Sequence, residues 1–338
     1  MPRKLIIPIL AICLTLLLAS VAPARAMTLS YANFPPAGTF PSVQMERWKK
    51  EVEKRTDGEV TINTFPGGTL LGAKNMLRGV TQGQADIGNL CMAYQPGVFP
   101  LTSVMELPLR FRSSRAASLV LWELFQKYEP QAFDEVKVLT VFTSPPSSLM
   151  TRKPVKSPQD LKGMELRASG SASDILDRLG ATPVSMPMSD TPEALQKGMI
   201  EGLLSSLEVL LDLNFAQYCP NVTIGNFQVY PFAVVMNKDR WEALPEDVQK
   251  VMLDLGRKHA QWTGEYVDAH VDKALEYSRT KHDVAVHEFS SKERRRIQKK
   301  IRPLIGEWKD KARKQGLPAD EILEDVRAWQ KEFTEQGE

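Results

Sequence analysis

The sequence predicts an α/β protein with two lobes around a cleft. In the first half of the chain, short apolar segments alternate with amphipathic helical patterns, which is typical of a parallel sheet covered by helices. A second set of strands and helices follows between residues 144 and 230, and an apolar strand at residues 229–237 returns toward the first set. Residues 246–280 form a helical pattern long enough to cross both lobes. Because several segments pass between the two sets, we expect lobes around a cleft rather than two independent domains.

The predicted elements are bounded by recognisable turn residues. Asp57 and Gly58, for example, follow an amphipathic pattern and are a typical signal for the end of a helix. In the first set we predict strands at residues 28–33, 59–65, 85–90 and 136–142, and helices at 42–56, 74–83 and 115–128. In the second set we predict strands at 164–166, 183–186 and 202–204, and a helix at 171–179. Residues 144–148 are interpreted as a polar crossing, 284–288 as a last strand, and 292 onward as helix.

The amino terminus indicates export. Residues 1–4 are basic, residues 5–19 are apolar and uncharged, and Ala24-Arg25-Ala26 has the small-x-small pattern of a leader cleavage site. The apolar run is short for a transmembrane span. We therefore expect a leader at residues 1–26, a mature chain from Met27, and a periplasmic location without stable membrane insertion.

The charge balance argues against nucleic acid as a partner. Without the leader, 40 basic residues stand against 41 acidic ones, so the mature chain is close to neutral. The basic run at residues 292–302 carries Ile297 and Ile301 on one face and is interpreted as a solvated helix. Cys91 and Cys219 remain in the mature chain, and the sequence leaves open whether they pair.

The sequence carries no signature of catalysis. The patterns G-x-S-x-G, H-E-x-x-H and C-x-x-C are absent, and no carboxylate cluster accompanies the histidines. We therefore expect a protein that is not an enzyme and uses no cofactor or metal. The four histidines are expected at the surface: His259, His270, His282 and His287.

Arg167 is the strongest candidate for a ligand-binding residue. It follows an apolar run at residues 164–166 and precedes the helix at 171–179, so it falls at the carboxyl end of a strand. In an α/β sheet this edge faces the ligand crevice, where a guanidinium can pair with an anion through two hydrogen bonds. On position alone, an ordinary surface arginine is an equal alternative.

Several fragments, in order along the mature chain, resemble the motifs of one family. They lie at residues 65–72 (FPGGTLLG), 79–88 (GVTQGQADIG), 106–111 (ELPLRF), 161–188, 194–202 and 235–245 (VMNKDRWEALP). Together they are similar to the solute-binding proteins of TRAP (tripartite ATP-independent periplasmic) transporters, the DctP family. The segment at 161–188 resembles the pattern D-L-K-G-x-K-I-R-V…L-G-A-x-P-x-P-M of that family, and Arg167 takes the place of its arginine.

The resemblance implies a two-lobed periplasmic-binding-protein fold of type II, which closes on its ligand like a hinged trap. It suggests lobe I at residues 27–143 and 231–270, lobe II at 144–230 and 271–305, and carboxyl-terminal helices at 306–338 packed on the lobes. It also implies that Arg167 holds a ligand carboxylate. The partners it implies are a small organic anion and the small and large membrane subunits of a TRAP permease.

The chain departs from the commoner members of this family around the expected ligand. Ser205 stands where many relatives have a ligand-contacting asparagine, and no charge occupies residues 144–148, where many have a second arginine. One arginine with several hydroxyl groups suits an anion with a single charge. Besides Arg167, the residues expected to contact the ligand are Ser205, Ser206, Met188, Cys91, Asn89, Ser147 and Glu208.

The expected function is therefore capture of a small organic anion for delivery to a membrane permease. A monocarboxylate, a hydroxy acid or a short sulfonate such as isethionate would fit one arginine and several serines. Two alternatives stay open from the sequence: a subunit that binds C4-dicarboxylates, and a sensor subunit that presents its ligand to a receptor. It is equally open whether the serines are ordinary loop residues while another side chain supplies a second charge.

Overall fold

A computed structural model describes residues 27–337, and the expected leader at residues 1–26 lies outside them. Two β-sheets organise this part of the chain. The strands are β1 (Met27–Asn33), β2 (Val60–Phe65), β3 (Ile87–Cys91), β4 (Val136–Thr143), β5 (Ser148–Thr151), β6 (Glu165–Ala168), β7 (Thr182–Ser185), β8 (Gly202–Ser205), β9 (Asn221–Ile224), β10 (Pro231–Asn237) and β11 (Ala285–Glu288). The predicted α/β class is confirmed.

The first sheet has five strands in the order β2-β1-β3-β10-β4. β1 lies parallel to β2 and β3, whereas β10 is antiparallel to β3 and β4. All seven residues of β10 are buried, as expected for a central strand covered on both faces. The part of the chain that packs around this sheet is called lobe I below.

The second sheet has six strands in the order β11-β9-β5-β8-β6-β7. β6 is parallel to β7 and β8, and β5 is antiparallel to β8 and β9. We call the part around this sheet lobe II. Arg167 lies on β6, and Ser205 is the last residue of the neighbouring β8, so adjacent strands bring these two candidates to the same edge.

The helices cover the sheets and connect the lobes. They are α1 (Phe40–Arg55), α2 (Met76–Thr81), α3 (Ser114–Tyr128), α4 (Ser171–Leu179), α5 (Thr191–Gln196), α6 (Val209–Asp212), α7 (Lys238–Glu242), α8 (Glu246–His282), α9 (Ser291–Ile301), α10 (Pro303–Lys314) and α11 (Ala319–Glu335). The 37 residues of α8 span about 55 Å. This helix contacts α1, α3 and β4 in lobe I and α6 in lobe II, which confirms the predicted long helix.

Two glycines let α8 pack closely against lobe I. A Cβ atom at Gly264 would lie 2.5 Å from the Cα atom of Arg115, and one at Gly256 would lie 2.8 Å from the carbonyl oxygen of Leu139. Both neighbours are backbone atoms that no rotamer change can move away. Any larger residue at these positions would therefore push α8 off the lobe.

Some sequence predictions need correction. β5 and β9 were missed, because each is only four residues long and lies beside prolines or polar residues that resemble loop. The helix predicted from residue 292 onward is three helices, interrupted at Pro303 and again before Ala319. The apolar face of its first part is confirmed, since Ile297 and Ile301 are both buried.

Candidate ligand-binding site

A cavity of about 240 Å³ lies between the two lobes. Its walls come from lobe I through the loop after β1, the start of α1 and the ends of β3 and β10. Lobe II contributes β6, the end of β8 and the segment at residues 205–213. This volume is below the roughly 300–1,000 Å³ of pockets for drug-sized molecules, so the cavity suits a small ligand.

Arg167 lies in the wall of this cavity and is 1% exposed. Its Nε donates to the carbonyl oxygen of Met186 at 3.0 Å, and its Nη2 donates to Ser169 Oγ at 2.9 Å and Tyr94 Oη at 3.3 Å. In the described part of the chain, Nη1 has no hydrogen-bond partner and no carboxylate lies within 4.0 Å of the guanidinium. The buried cation is thus oriented by neutral groups and keeps two N–H donors for an anion.

Tyr94 is a site residue that the sequence analysis missed. Its hydroxyl oxygen accepts from Nη2 of Arg167 and, at 3.1 Å, from the backbone N–H of Met188. Burial raises the pKa of Tyr94 to about 12, so the hydroxyl keeps its own proton near neutral pH. Since that oxygen already accepts two hydrogen bonds, its proton is free to donate to a ligand. No motif in the sequence distinguishes this tyrosine from one used in packing.

The structure brings most of the expected site residues together. Among the residues that line the cavity with Arg167 are Ser205, Ser206, Met188, Cys91 and Glu208. Two others lie outside the lining. Asn89 donates to Asn33 Oδ1 at 2.9 Å, and Ser147 accepts from Gln228 Nε2 at 3.2 Å, so both take part in hydrogen bonds within the protein.

Aromatic side chains form the apolar wall of the cavity. The ring centroid of Phe232 of β10 lies 6.5 Å from that of Phe34 and 6.0 Å from that of Phe40, and the ring stacks on Phe142 at 5.1 Å. Of these, Phe34, Phe40 and Phe232 line the cavity, together with Tyr230. The sequence gave no signal for the three phenylalanines.

Two carboxylates line the cavity as well. Asp212 accepts from Nε2 of His270 at 2.6 Å, and its other oxygen accepts from the backbone N–H of Phe40 at 3.1 Å. The hydrogen bond to Asp212 raises the pKa of His270 above its ordinary value. Glu208 is 2% exposed, and burial raises its pKa to about 7. Its Oε1 accepts from Ser206 Oγ at 2.7 Å.

Carboxylates from each lobe contact the start of a helix in the other. Asp212 of lobe II accepts from the first residue of α1, and Glu106 of lobe I accepts from Ser171, the first residue of α4, at 2.9 Å. Both contacts place negative charge at a helix amino terminus. A Cβ atom at Gly170 would lie 2.0 Å from Oε2 of Glu106, so this approach requires glycine.

The expectation of four surface histidines is wrong for His259. This residue is fully buried between α1 and α8, where Nε2 lies 2.9 Å from Gln44 Oε1 and Nδ1 lies 3.4 Å from Arg47 Nη1. Because Arg47 can only donate, Nδ1 is the acceptor and the proton lies on Nε2. Burial lowers the pKa of His259 to about 3.

The described chain shows neither a disulfide nor a cluster of metal ligands. Cys91 and Cys219 are both buried and free. Within residues 27–337, no group of three or more His, Cys, Asp or Glu residues is placed to hold a metal ion. Over the same residues, no helix is long and apolar enough to cross a membrane.

The two sheets, the helix that joins them and the cavity between them define a two-lobed α/β protein of the solute-binding type. Residues 31–311 match the family described as bacterial extracellular solute-binding protein, family 7 (DctP), and the chain belongs to this family. The resemblance seen in the sequence motifs is confirmed. Members of the family are substrate-binding receptors of transporters.

Two solved structures illustrate the similarity. One is a TRAP periplasmic solute binding protein from Desulfovibrio salexigens DSM2638, in an open complex with the C-terminus of a symmetry mate in its ligand binding site. It is 57% identical, covers 90% of this chain and 96% of its own, and has a TM-score of 0.82. The other is a marine metagenome TRAP solute binding protein specific for aromatic acid ligands, in complex with 3-hydroxybenzoate. It is 26% identical, the match covers 91% of this chain and 98% of the other, and the TM-score is 0.86.

A more distant relative binds a different class of acid. The C4-dicarboxylate-binding periplasmic protein DctP of Rhodobacter capsulatus is 21% identical over 89% of this chain and 92% of its own length. The relatives thus include proteins for aromatic acids and for dicarboxylates, so the choice of ligand depends on the cavity itself.

Proposed function

We propose that this TRAP solute-binding protein captures a monocarboxylate with an apolar body in the periplasm. The observation that carries the proposal is a single buried guanidinium beside an aromatic wall. Among residues 27–337, Arg167 is the one basic residue that lines the cavity. A second anionic group on the ligand would therefore be buried without a cation, which is strongly unfavourable.

The anionic group of the ligand would be held by donors from both lobes. Nη1 of Arg167 and the hydroxyl of Ser205 belong to lobe II, and the hydroxyl of Tyr94 belongs to lobe I. In the described structure Ser205 Oγ makes no hydrogen bond within the protein, although the residue is only 1% exposed. A carboxylate has enough lone pairs to accept from all three donors.

The aromatic wall narrows the candidates further. Phe34, Phe40 and Phe232 would pack against the body of the ligand, and burying apolar surface there favours binding by about 25 cal/mol for each Å². Isethionate, which has only two carbons, would leave much of this surface uncovered. We therefore place ring-containing or branched monocarboxylates ahead of short sulfonates. The aromatic acid specificity of one structural relative supports the same ranking.

A thermal-shift screen tests the proposal. The compounds are benzoate, 3-hydroxybenzoate, lactate, isethionate, succinate and malate, each at several concentrations. A ligand present at 100 times its Kd stabilises the folded protein by about 2.7 kcal/mol, which raises the melting temperature measurably. We expect the largest shift from a ring-containing monocarboxylate. A larger shift from succinate or malate would support the C4-dicarboxylate alternative instead.

Delivery to a permease is the second part of the proposal. Membership of the family supports two membrane subunits as partners. Uptake of the best ligand into vesicles that contain those subunits should require this chain. The variant Arg167→Met should not support uptake, because it cannot capture the ligand. Uptake at the same rate without this chain would contradict delivery.

A further inference from the structure

Glu208 places a carboxylate oxygen without a hydrogen-bond partner in the wall of the cavity that the described residues form. Glu208 lines the cavity and is 2% exposed, and its Oε1 accepts from Ser206 Oγ at 2.7 Å. In the described chain, its Oε2 is buried without any hydrogen bond. Buried carboxylate oxygens are normally satisfied, and an exception at the wall of a ligand cavity is explained if the ligand brings the missing donor.

We propose that Oε2 of Glu208 accepts a hydrogen bond from a hydroxyl or amino group of the ligand. The ligand would then be a monocarboxylate that carries a hydrogen-bond donor apart from its anionic group. This inference rests on the proposed function, because the same cavity must hold the carboxylate at Arg167. It adds a second recognition point and a chemical requirement that the anion site alone does not impose.

The neighbouring groups leave Glu208 as the available acceptor. Asp212 also lines the cavity, but its two oxygens already accept from His270 and from the backbone of Phe40. Glu208 and Arg167 form no ion pair within 4.0 Å in the described chain, so neither neutralises the other before the ligand arrives. Arg167 would thus bind the anionic group of the ligand, and Glu208 would bind its hydrogen-bond donor.

The ionisation of Glu208 is compatible with this role. Burial raises its pKa to about 7, and the hydrogen bond from Ser206 acts in the opposite direction. A donor on the ligand would stabilise the ionised form further, because hydrogen bonds to a carboxylate favour its charge. The ionised form disfavours a ligand group that can only accept, since two acceptors would then face each other without a proton between them.

The test compares acids that differ only in this donor. Affinities of the full mature chain are measured by calorimetry for benzoate, 3-hydroxybenzoate and 3-methoxybenzoate, and for butanoate and 3-hydroxybutanoate. The methoxy compound places an oxygen at the same position without a proton to donate. We expect the wild type to favour a hydroxylated acid over its unsubstituted partner by about tenfold or more, and to bind the methoxy acid less tightly than the hydroxylated one.

The variant Glu208→Gln tests the assignment to this residue. The amide can still accept from Ser206, but an NH₂ donor replaces the unpaired oxygen. We expect the preference for the hydroxylated acid to fall to about threefold or less, while the affinity for the unsubstituted acid changes by less than about threefold. Glu201→Gln is the matched control, because Glu201 lies earlier in the same segment, is more exposed and pairs with Lys153; this variant should keep the preference.

The possible failures are distinguishable. Binding of the unsubstituted acids without any preference for the hydroxyl overturns the role of Glu208 and leaves the proposed function standing. An unchanged preference in Glu208→Gln, with melting temperature close to that of the wild type, also overturns it. Failure of the wild type to bind any of the five acids overturns the proposed function and this inference together.

Discussion

Replacing Arg167 with methionine separates a ligand-binding role from a structural one. Methionine is unbranched, flexible and uncharged, so it fills part of the space without offering a donor. If the guanidinium holds the ligand carboxylate, removing it leaves a buried anion without its partner. Truncating one member of such a pair costs about 2–5 kcal/mol, which corresponds to a loss of affinity of about 30-fold to several thousand-fold.

The ligand-free protein should tolerate the same change. Each of the three groups that accept from Arg167 keeps another hydrogen bond: Ser169 Oγ donates to Met186 O, and Tyr94 Oη accepts from the Met188 N–H. No carboxylate within 4.0 Å is left unpaired in the described chain. Because the variant also removes a buried charge that lacks an ionic partner, we expect the free energy of unfolding to change by no more than about 1 kcal/mol.

Calorimetry with the best ligand of the screen and urea unfolding without ligand measure the two effects. Arg178→Met is the control, since this arginine lies on α4 of the same lobe, pairs with Glu307 and is 37% exposed. The control should bind normally, because exposed ion pairs contribute little. Affinity of Arg167→Met within threefold of the wild type would refute the anion site. A loss of more than about 3 kcal/mol of stability without ligand would show a structural role instead.

Three further outcomes follow from the contacts described above. Tyr94→Phe removes a donor to the ligand and should weaken binding by about 5- to 50-fold in calorimetry; unchanged affinity would exclude that donor. The pKa of His259 is lowered on folding, so the stabilising effect of neutral His259 is present above about pH 6.5 and is lost as the pH falls toward 3. Urea unfolding should therefore show the wild type losing about 2 kcal/mol relative to His259→Gln between pH 7.5 and pH 5, and parallel curves would contradict this. Because Cys91 and Cys219 are buried and free, thiol titration of the chain from Met27 onward should find no reactive thiol in the native protein and two in urea, whereas none in urea would indicate a disulfide.

The fold was largely predictable because hydrophobic periodicity reports on elements that are long or strongly apolar. The long helix α8 and the central strand β10 were both evident from the sequence. β5 and β9 were not, although both lie inside the second sheet. Four residues are too few for a period to show, and the sheet pairing that stabilises these strands comes from segments far away in the chain.

The site was predictable only where a residue belongs to a motif. Arg167 and Ser205 could be placed because recognisable fragments surround them, and adjacent strands then bring them together. Tyr94 and the phenylalanines belong to the other lobe, and their local sequences resemble those of ordinary packing residues. Their role depends on how the two lobes face each other, which is a long-range property that local pattern does not encode.

Several hydrogen bonds join lobe I to lobe II around the cavity, so binding of a ligand there is coupled to how the lobes face each other. Tyr94 of lobe I contacts Arg167 of lobe II, and Asp212 and Glu106 each contact a helix start in the opposite lobe. These contacts belong to the protein itself, so they contribute to the stability of the arrangement in which the two lobes enclose the cavity. A ligand shifts the balance only by what it binds more tightly in the closed state. An anion that accepts from both Tyr94 and Arg167 meets this condition, because only closure brings donors of the two lobes to the same oxygens.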